Sequence, residues 1–524
     1  MNKRITIFIS GILIVFSSLI FAQELTPKEQ LGKKIFFDKI SSPDWMACAN
    51  CHAPDVGFVG PNPGTNKKGA VYNGAIPQRF GNRKPPSSTY APFSPNFDYD
   101  ASEDLFFGGN FWDGRATGWN LNNPAADQAL GPFLNPVEQN NQDKQHVLMQ
   151  IAGSKYTGLW EDVWGEPITY NTPEEINTNY NRVGLSIAAY EASNDVSPFT
   201  SKFDYYLKGM VDLTPQEIIG MQIFNDEGEG GGKCSLCHIS APGPNNEPPL
   251  FTDFTFDNLG APKNPYNPFY DMDKVFLDDG TSINPLGDMW IDYGLGDFLR
   301  SLADPDNQGW RSLPYVTSAL AGMTNADLLA KAEDNDGKQK VPSLRNVDKK
   351  NGNNFTKAYL HNGVFKSLKE VVHFYNTRDV GNWPPSEVAE NVNTEELGDL
   401  GLTDNEEDAI VAFMKTLSDG YDIDKMKKEA KHLTYVEEAV ILRVEGPNPF
   451  NPSTRLGYFI PEDANIQLEV FSITGEKVAT LQKGFMSAGE HQVEFNGKDL
   501  ATGIYFVSLY TGKEVKTVKL ILMK

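Results

Sequence analysis

The sequence predicts a mainly α fold, two related helical domains in tandem followed by a small all-β sandwich. Three observations carry that expectation. A helix-opening segment occurs twice: Leu25, Thr26, Pro27 and Glu29 lead to Gly32 and Phe36, and Leu213, Thr214, Pro215 and Glu217 lead to Gly220 and Phe224 at the same spacing. Each copy is followed by a Cys-x-x-Cys-His motif, Cys48, Cys51 and His52 in the first and Cys234, Cys237 and His238 in the second. After about Lys431 helical patterns give way to short alternating segments separated by Gly, Asn and Asp.

The elements follow in order. Lys3 and Arg4 precede an apolar run over 5–21, and Ala22 suits the last residue before cleavage. This predicts a signal peptide over 1–22 and export. The run is short for a membrane span, and no other segment is apolar enough to cross one. In each repeat Thr is the expected N-cap, Pro the first helical residue and Glu the reciprocal capping partner. The duplication argues for two domains, expected over 23–205 and 206–430. A third capping pattern, Thr403 and Glu406, opens a helix carrying Ile410, Val411, Phe413, Met414 and Leu417. A linker over 431–445 leads to the sandwich over 446–524, with strands expected at 466–471, 492–495, 504–509 and 515–522. The stretch 262–338 is dense in Pro, Asn, Asp and Gly. The sequence assigns it no structure beyond an ordered loop draped over the helical domains.

The two motifs carry the chemistry. Cys-x-x-Cys-His is the attachment signature of a c-type haem, with two thioethers and an adjacent histidine ligand to iron. All four cysteines of the chain lie in these motifs, so none remains for a disulfide, a zinc site or a thiol nucleophile. Two covalent haem c groups are therefore expected, on His52 and on His238, and the halves read as cytochrome-c-like haem domains. The formal net charge of −23 argues against nucleic acid as a partner. It is compatible with a basic electron-transfer protein, and equally with any soluble exported protein.

Further motifs give the chain a resemblance to the bacterial dihaem cytochrome c peroxidase and MauG family over roughly 25–417. They are Leu31 to Asp38 as LGKKIFFD, Phe111 to Ala116 as FWDGRA, Gly131 to Glu138 as GPFLNPVE, Lys340 to Asn346 as KVPSLRN, and Leu368 to Asn376 as LKEVVHFYN. The tail resembles the sorting domain of type IX secretion, through Asn448, Pro449, Phe450, Asn451 and Pro452 and through Gly503, Ile504, Tyr505 and Phe506. The resemblance implies hydrogen peroxide as substrate at the haem on His52, and electron transfer at the haem on His238. It implies Trp112 as the bridge between them, Glu138 as acid/base and Gln128 as the amide that orients peroxide. The donor it implies is a small cytochrome c or copper protein, and the sorting tail implies the type IX machinery and a final place at the surface or outside the cell.

Some positions depart from the family pattern. Where many members carry a histidine that blocks the peroxide haem, this chain has Lys68, so an open first site is expected. His146 reads as structural. The segment between Trp112 and Gln128 is longer than the pattern, with Trp119 in the added loop. For the second haem the resemblance implies Tyr375 as distal ligand, as in MauG, with His373 or a Met of the long loop as alternatives. His361 reads as a group supporting the haem site. A family calcium site maps to Lys84, Thr356 and Ala358. An ammonium cannot ligate calcium, so either Asn82 substitutes or the lysine charge replaces the ion. The expected function is a peroxidase. A MauG-like oxidase of a partner protein and a non-catalytic dihaem electron carrier are the alternatives.

Overall fold

The helices that frame the two motifs are α1 (Pro27–Phe37), α2 (Pro124–Leu134), α3 (Pro173–Ala192), α4 (Pro215–Phe224), α5 (Leu368–Thr377) and α6 (Asp404–Lys415). The structure is a computed structural model that describes residues 24–243, 247–423, 440–472, 477–512 and 515–524. The predicted signal peptide and residues 431–439 of the predicted linker lie outside the described residues. The capping boxes form as predicted. Thr26 N donates to Glu29 Oε2 at 2.6 Å at the start of α1, and Thr214 N to Glu217 Oε2 at 2.7 Å at the start of α4. Thr403 and Glu406 do the same for α6.

The repeated glycines have a packing reason. A Cβ on Gly32 would fall onto the Ser186 carbonyl of α3, and one on Gly220 onto the Ala409 carbonyl of α6. Each repeat thus presses its first helix backbone-to-backbone against a later helix. The repeated phenylalanines, Phe36 and Phe224, are each 1% exposed in the core beside that crossing. The first core gathers Leu31, Ile35, Phe133, Val183 and Ile187; the second gathers Leu213, Phe251, Phe374, Ile410 and Phe413. Each such side chain contributes about 1.5–3 kcal/mol through removal from water.

The stretch 262–338 is more ordered than the sequence suggests. It holds helices Leu295–Ala303 and Asn325–Glu333 with several 3₁₀ turns. Leu295, Leu299, Leu302 and Leu328 bury against Phe97 and Trp119, and Trp119 stacks on Trp310 at 5.2 Å. The added loop after Trp112 is therefore half of an extra core. Strands here are short: β1 (Asp98–Asp100) with β2 (Leu105–Phe107), and β3 (Phe256–Asp257) with β4 (Gln339–Lys340).

The described chain divides into two units, one ending at Tyr421 and the other beginning at Asp422. The second unit carries β5 (Ile441–Val444), β6 (Ser453–Ile460), β7 (Ala464–Ser472), β8 (Lys477–Met486), β9 (Gly489–Asn496), β10 (Gly503–Tyr510) and β11 (Val515–Leu522). They form antiparallel sheets in the orders β11-β10-β7-β8 and β5-β6-β9. Ile466, Leu468 and Val470 alternate inward along β7, as the period of a half-buried strand requires. Two corrections follow. β5 lies inside the predicted linker, so the β unit starts before Gly446; its Leu442 and Val440 belong to the core. The chain as a whole is 32% helical and 17% strand, so "mainly α" is too strong: the C-terminal unit is all β and much of the first unit is irregular.

Candidate active site at the two Cys-x-x-Cys-His motifs

Each motif is wound into a 3₁₀ turn, Cys48–Asn50 and Cys234–Leu236. The turn brings the histidine back over the first cysteine: His52 N donates to Cys48 O at 3.0 Å, and His238 N to Cys234 O at 2.9 Å. Both imidazoles are fixed alike. His52 Nδ1 lies 3.1 Å from Phe58 O, and His238 Nδ1 2.9 Å from Phe251 O. A carbonyl accepts only from a protonated nitrogen, so Nε2 keeps its lone pair and faces the cleft. Burial pushes both rings down to about 4, which keeps them neutral, the form that ligates a metal.

The clefts fit a haem at each motif. Cys234, Cys237 and His238 line a largely apolar cleft of about 1450 Å³ of unfilled space, walled by Leu259, Leu368, Val372, Leu400, Leu402 and Met414. Cys48, Cys51 and His52 line one of about 1120 Å³, which adjoins a further cleft at His52. Burial pushes the thiols of Cys48, Cys51 and Cys234 up to about 12, the reverse of a redox-active dithiol.

The first cleft carries several polar side chains. Gln128 projects from α2, and Glu138 follows in the turn that closes that helix. Asn135 Nδ2 donates to Glu138 Oε1 at 2.7 Å, while Gln139, next in the chain, reaches Cys48 Sγ at 3.5 Å. Burial raises the Glu138 carboxyl above its ordinary range, and Arg115 and the Asn135 hydrogen bond oppose the rise. Arg115 lines the same cleft. Lys68 is exposed and lines neither part of it.

Trp112 is a wall common to the first and second clefts. It is 8% exposed, and its Nε1 donates to Lys84 O at 2.9 Å. His361 meets the indole edge-on at 6.4 Å and lines the second cleft. Beneath lies Arg83, joined to Asp113 at 2.5 Å and forked onto Asp292 at 2.6 and 2.7 Å. Arg83 holds both carboxyls below the ordinary carboxylate range.

Tyr375, on α5, lines the second cleft with His238. Burial raises its phenol well above the usual value. The alternative His373 lines neither cleft; its Nδ1 pairs with Glu407 Oε1 at 2.9 Å. Met272, Met289 and Met323 of the long stretch do not line the second cleft, whereas Met414 of α6 does. Of the positions mapped to calcium, the Thr356 carbonyl accepts from Asn66 Nδ2 at 3.0 Å, and Lys84 presents an ammonium.

Sequence reasoning missed Arg83, Asp292 and Glu191. Glu191 lines the first cleft from α3 with its carboxyl pushed up to about 8 by burial. Asp292 lies in the unassigned stretch and Glu191 in an ordinary helical pattern, so neither has a local signal.

Residues 26–212 match the model of the family described as di-haem cytochrome c peroxidase. The methylamine utilization protein MauG of Paracoccus denitrificans is 31% identical over 406 residues, covering 74% of this chain and 88% of that protein. This chain belongs to the di-haem cytochrome c peroxidase family. It is an oxidoreductase of that type. A cytochrome-c peroxidase, IdrP2, of Denitromonas iodatirespirans is 26% identical over 402 residues, covering 74% of this chain and 81% of that protein. The crystal structure of the diheme peroxidase BthA of Burkholderia thailandensis superposes with a TM-score of 0.56 at 26% identity, over 76% of this chain and 87% of that one. Residues 447–523 match a secretion system C-terminal sorting domain, which marks the protein for export.

Proposed function

We propose that this protein is an exported dihaem peroxidase that reduces hydrogen peroxide to water with electrons from a small cytochrome c or copper protein. The observation that carries the reading is the placement of Glu138 and Gln128 in the cleft of His52, with Trp112 shared with the cleft of His238. Cys48, Cys51 and His52 would hold the peroxidatic haem in the 23–205 half. Cys234, Cys237, His238 and Tyr375 would hold the electron-transfer haem in the 206–430 half. When bound, the two haems supply iron centres that accept and pass single electrons.

The chain's own residues do the rest. Glu138, as carboxylate, takes the proton from the peroxide oxygen nearer His52 and returns it to the departing oxygen. The Gln128 amide orients the peroxide by hydrogen bonding. Two electrons and two protons convert one hydrogen peroxide to two waters. The electrons enter on the His238 side and cross at Trp112, whose ring faces both clefts. The sorting domain directs the chain to the type IX machinery.

One observation favours a second reading. Tyr375 shares the cleft of His238, and a phenolate there would stabilise high oxidation states. That suits a MauG-like oxidase that withdraws electrons from a partner protein. Steady-state peroxide consumption separates the two: reduced cytochrome c should be oxidised with peroxide turnover. Activity only with a tryptophan-bearing partner protein would replace the peroxidase reading, and a peroxide-inert protein would reduce it to an electron carrier.

A further inference from the structure

Three lysines lie around Trp112 and the first motif, Lys357 buried and Lys84 and Lys340 half-buried, and they differ in one respect. Lys340 Nζ is met by Ser94 Oγ, Gly109 O and Asn110 Oδ1, at 2.8, 2.5 and 3.4 Å. Lys357 Nζ is met by the carbonyls of Val56, Asn346 and Lys349, at 3.0, 2.7 and 3.1 Å. Three acceptors match the three protons of an ammonium. Lys84 has no such set. Among the described residues its Nζ makes one long hydrogen bond, 3.3 Å to Pro85 O, and no ion pair. It lines both clefts that meet at His52, with its Nζ 5.4 Å from the centre of the Trp112 ring. Burial lowers its pKa to about 8, and no carboxylate offsets the drop.

An ammonium taken from water without an anion is costly. Evolution of a neutral side chain would remove the cost, so the charge calls for a counter-ion the chain does not itself supply. The group that enters this cleft on Cys48 and Cys51 carries two carboxylates, its propionates. The other cations lining the cleft of Glu138 are already paired, Arg115 to Asp113 at 2.6 Å and Arg83 to Asp113 and Asp292. We propose that Lys84 receives a propionate of the first haem and so sets the charge between that haem and Trp112. This rests on haem attachment at the first motif, and it assigns Lys84 a positioning role, since it acts through the propionate rather than on peroxide.

The test uses the full-length loaded protein and the variants Lys84→Gln and Lys84→Arg. A pyridine haemochrome assay first counts haems; fewer than two in the wild type would overturn haem attachment itself, whatever Lys84 does. With two haems present, a nearby cation favours the ferrous state. Lys84→Gln should lower the first-haem potential by a tenfold or greater shift in the one-electron equilibrium, about 59 mV, and leave the second haem unchanged. The propionate bending band in resonance Raman spectra should move with it. Lys84→Arg, which keeps the charge, should restore both. An unchanged potential and band in Lys84→Gln, or equal shifts in both variants, would overturn the proposal. Should Lys84→Gln not mature, a crystal structure of the loaded wild type decides: a propionate oxygen within about 4 Å of Nζ, the ion-pair limit, supports it, and none within that limit overturns it.

Discussion

The first and second clefts start from the same device and end with different walls. In both, a capped helix leads to a 3₁₀ turn, and the histidine Nδ1 is held by a phenylalanine carbonyl, Phe58 or Phe251. The walls then diverge. The His52 cleft is lined by Glu138, Gln128, Arg115, Lys84 and Glu191. The His238 cleft has the more apolar wall, rich in leucines and valines with Tyr375 on α5, although Asp257, Asp292, Glu387 and Glu396 also line it. Proton transfer needs positioned acids and bases, while a site that only passes electrons needs little water and a fixed ligand. Duplication supplied the attachment machinery twice, and on the proposed function the differing walls divide the labour.

The comparison breaks most sharply at Glu138. Glu138→Gln should slow the reaction with peroxide by about a hundredfold to ten-thousandfold, with the spectrum of the second haem unchanged. Stopped-flow absorbance checks it, and a rate within twofold of wild type would remove the carboxylate from its role. The pH dependence has a definite sign. Burial raises the Glu138 pKa, and in the proposed mechanism the deprotonated form is the active one. The rate should therefore fall as pH drops through a value above the ordinary glutamate range, and this acid limb should vanish in Glu138→Gln.

The reciprocal change belongs to the second cleft. With a phenolate ligand, Tyr375→Met should raise the potential of the second haem, since a neutral thioether favours ferrous iron. A tenfold shift, about 59 mV, is the expected scale. Redox titration should show the first haem unmoved. The ferric first haem, with Lys68 exposed and no second histidine among the described residues lining its cleft, should give a high-spin EPR signal. Two low-spin signals would contradict an open first site.

The shared scaffold predicts equal damage on both sides. Gly32→Ala and Gly220→Ala each drive a Cβ into a backbone carbonyl. Each should destabilise its half by about 1–3 kcal/mol, read as a lowered thermal midpoint. Loss in one variant only would mean that the crossings are not equivalent. The smallest effect on activity should come from removing residues 440–524. Peroxide turnover should stay close to wild type while export beyond the periplasm fails; surface delivery of the truncated chain would contradict the sorting role. The cut must precede Val440, because β5 pairs with β6 through Leu442 and Tyr458.

The covalent chemistry and local caps were readable because they are local. Two cysteines and a histidine at fixed spacing, or Thr and Glu three residues apart, interact whatever the rest of the chain does. Repetition made the two halves legible, and alternation made four of the strands legible. Glu138 and Trp112 were legible only through family resemblance, since a single carboxylate or indole has no local pattern. The strands over 441–444, 453–460 and 477–486 escaped notice because they do not alternate cleanly: β5 is only four residues long, β6 buries Leu456, Gly457 and Tyr458 in succession, and β8 buries no residue fully.

The sequence by itself determined the attachment points, the helix starts and the change from a helical to a β region. Only the tertiary structure decided what faces each histidine. It brought Asp292 from an irregular stretch onto Arg83, turned His373 out toward Glu407 while leaving Tyr375 in the cleft, and set Lys84 beside Trp112 without a carboxylate. The physical reason is that hydrogen bonds within a turn are fixed by a few neighbouring dihedrals. The surroundings of a buried group are fixed instead by which distant side chains the packing of two cores brings within reach.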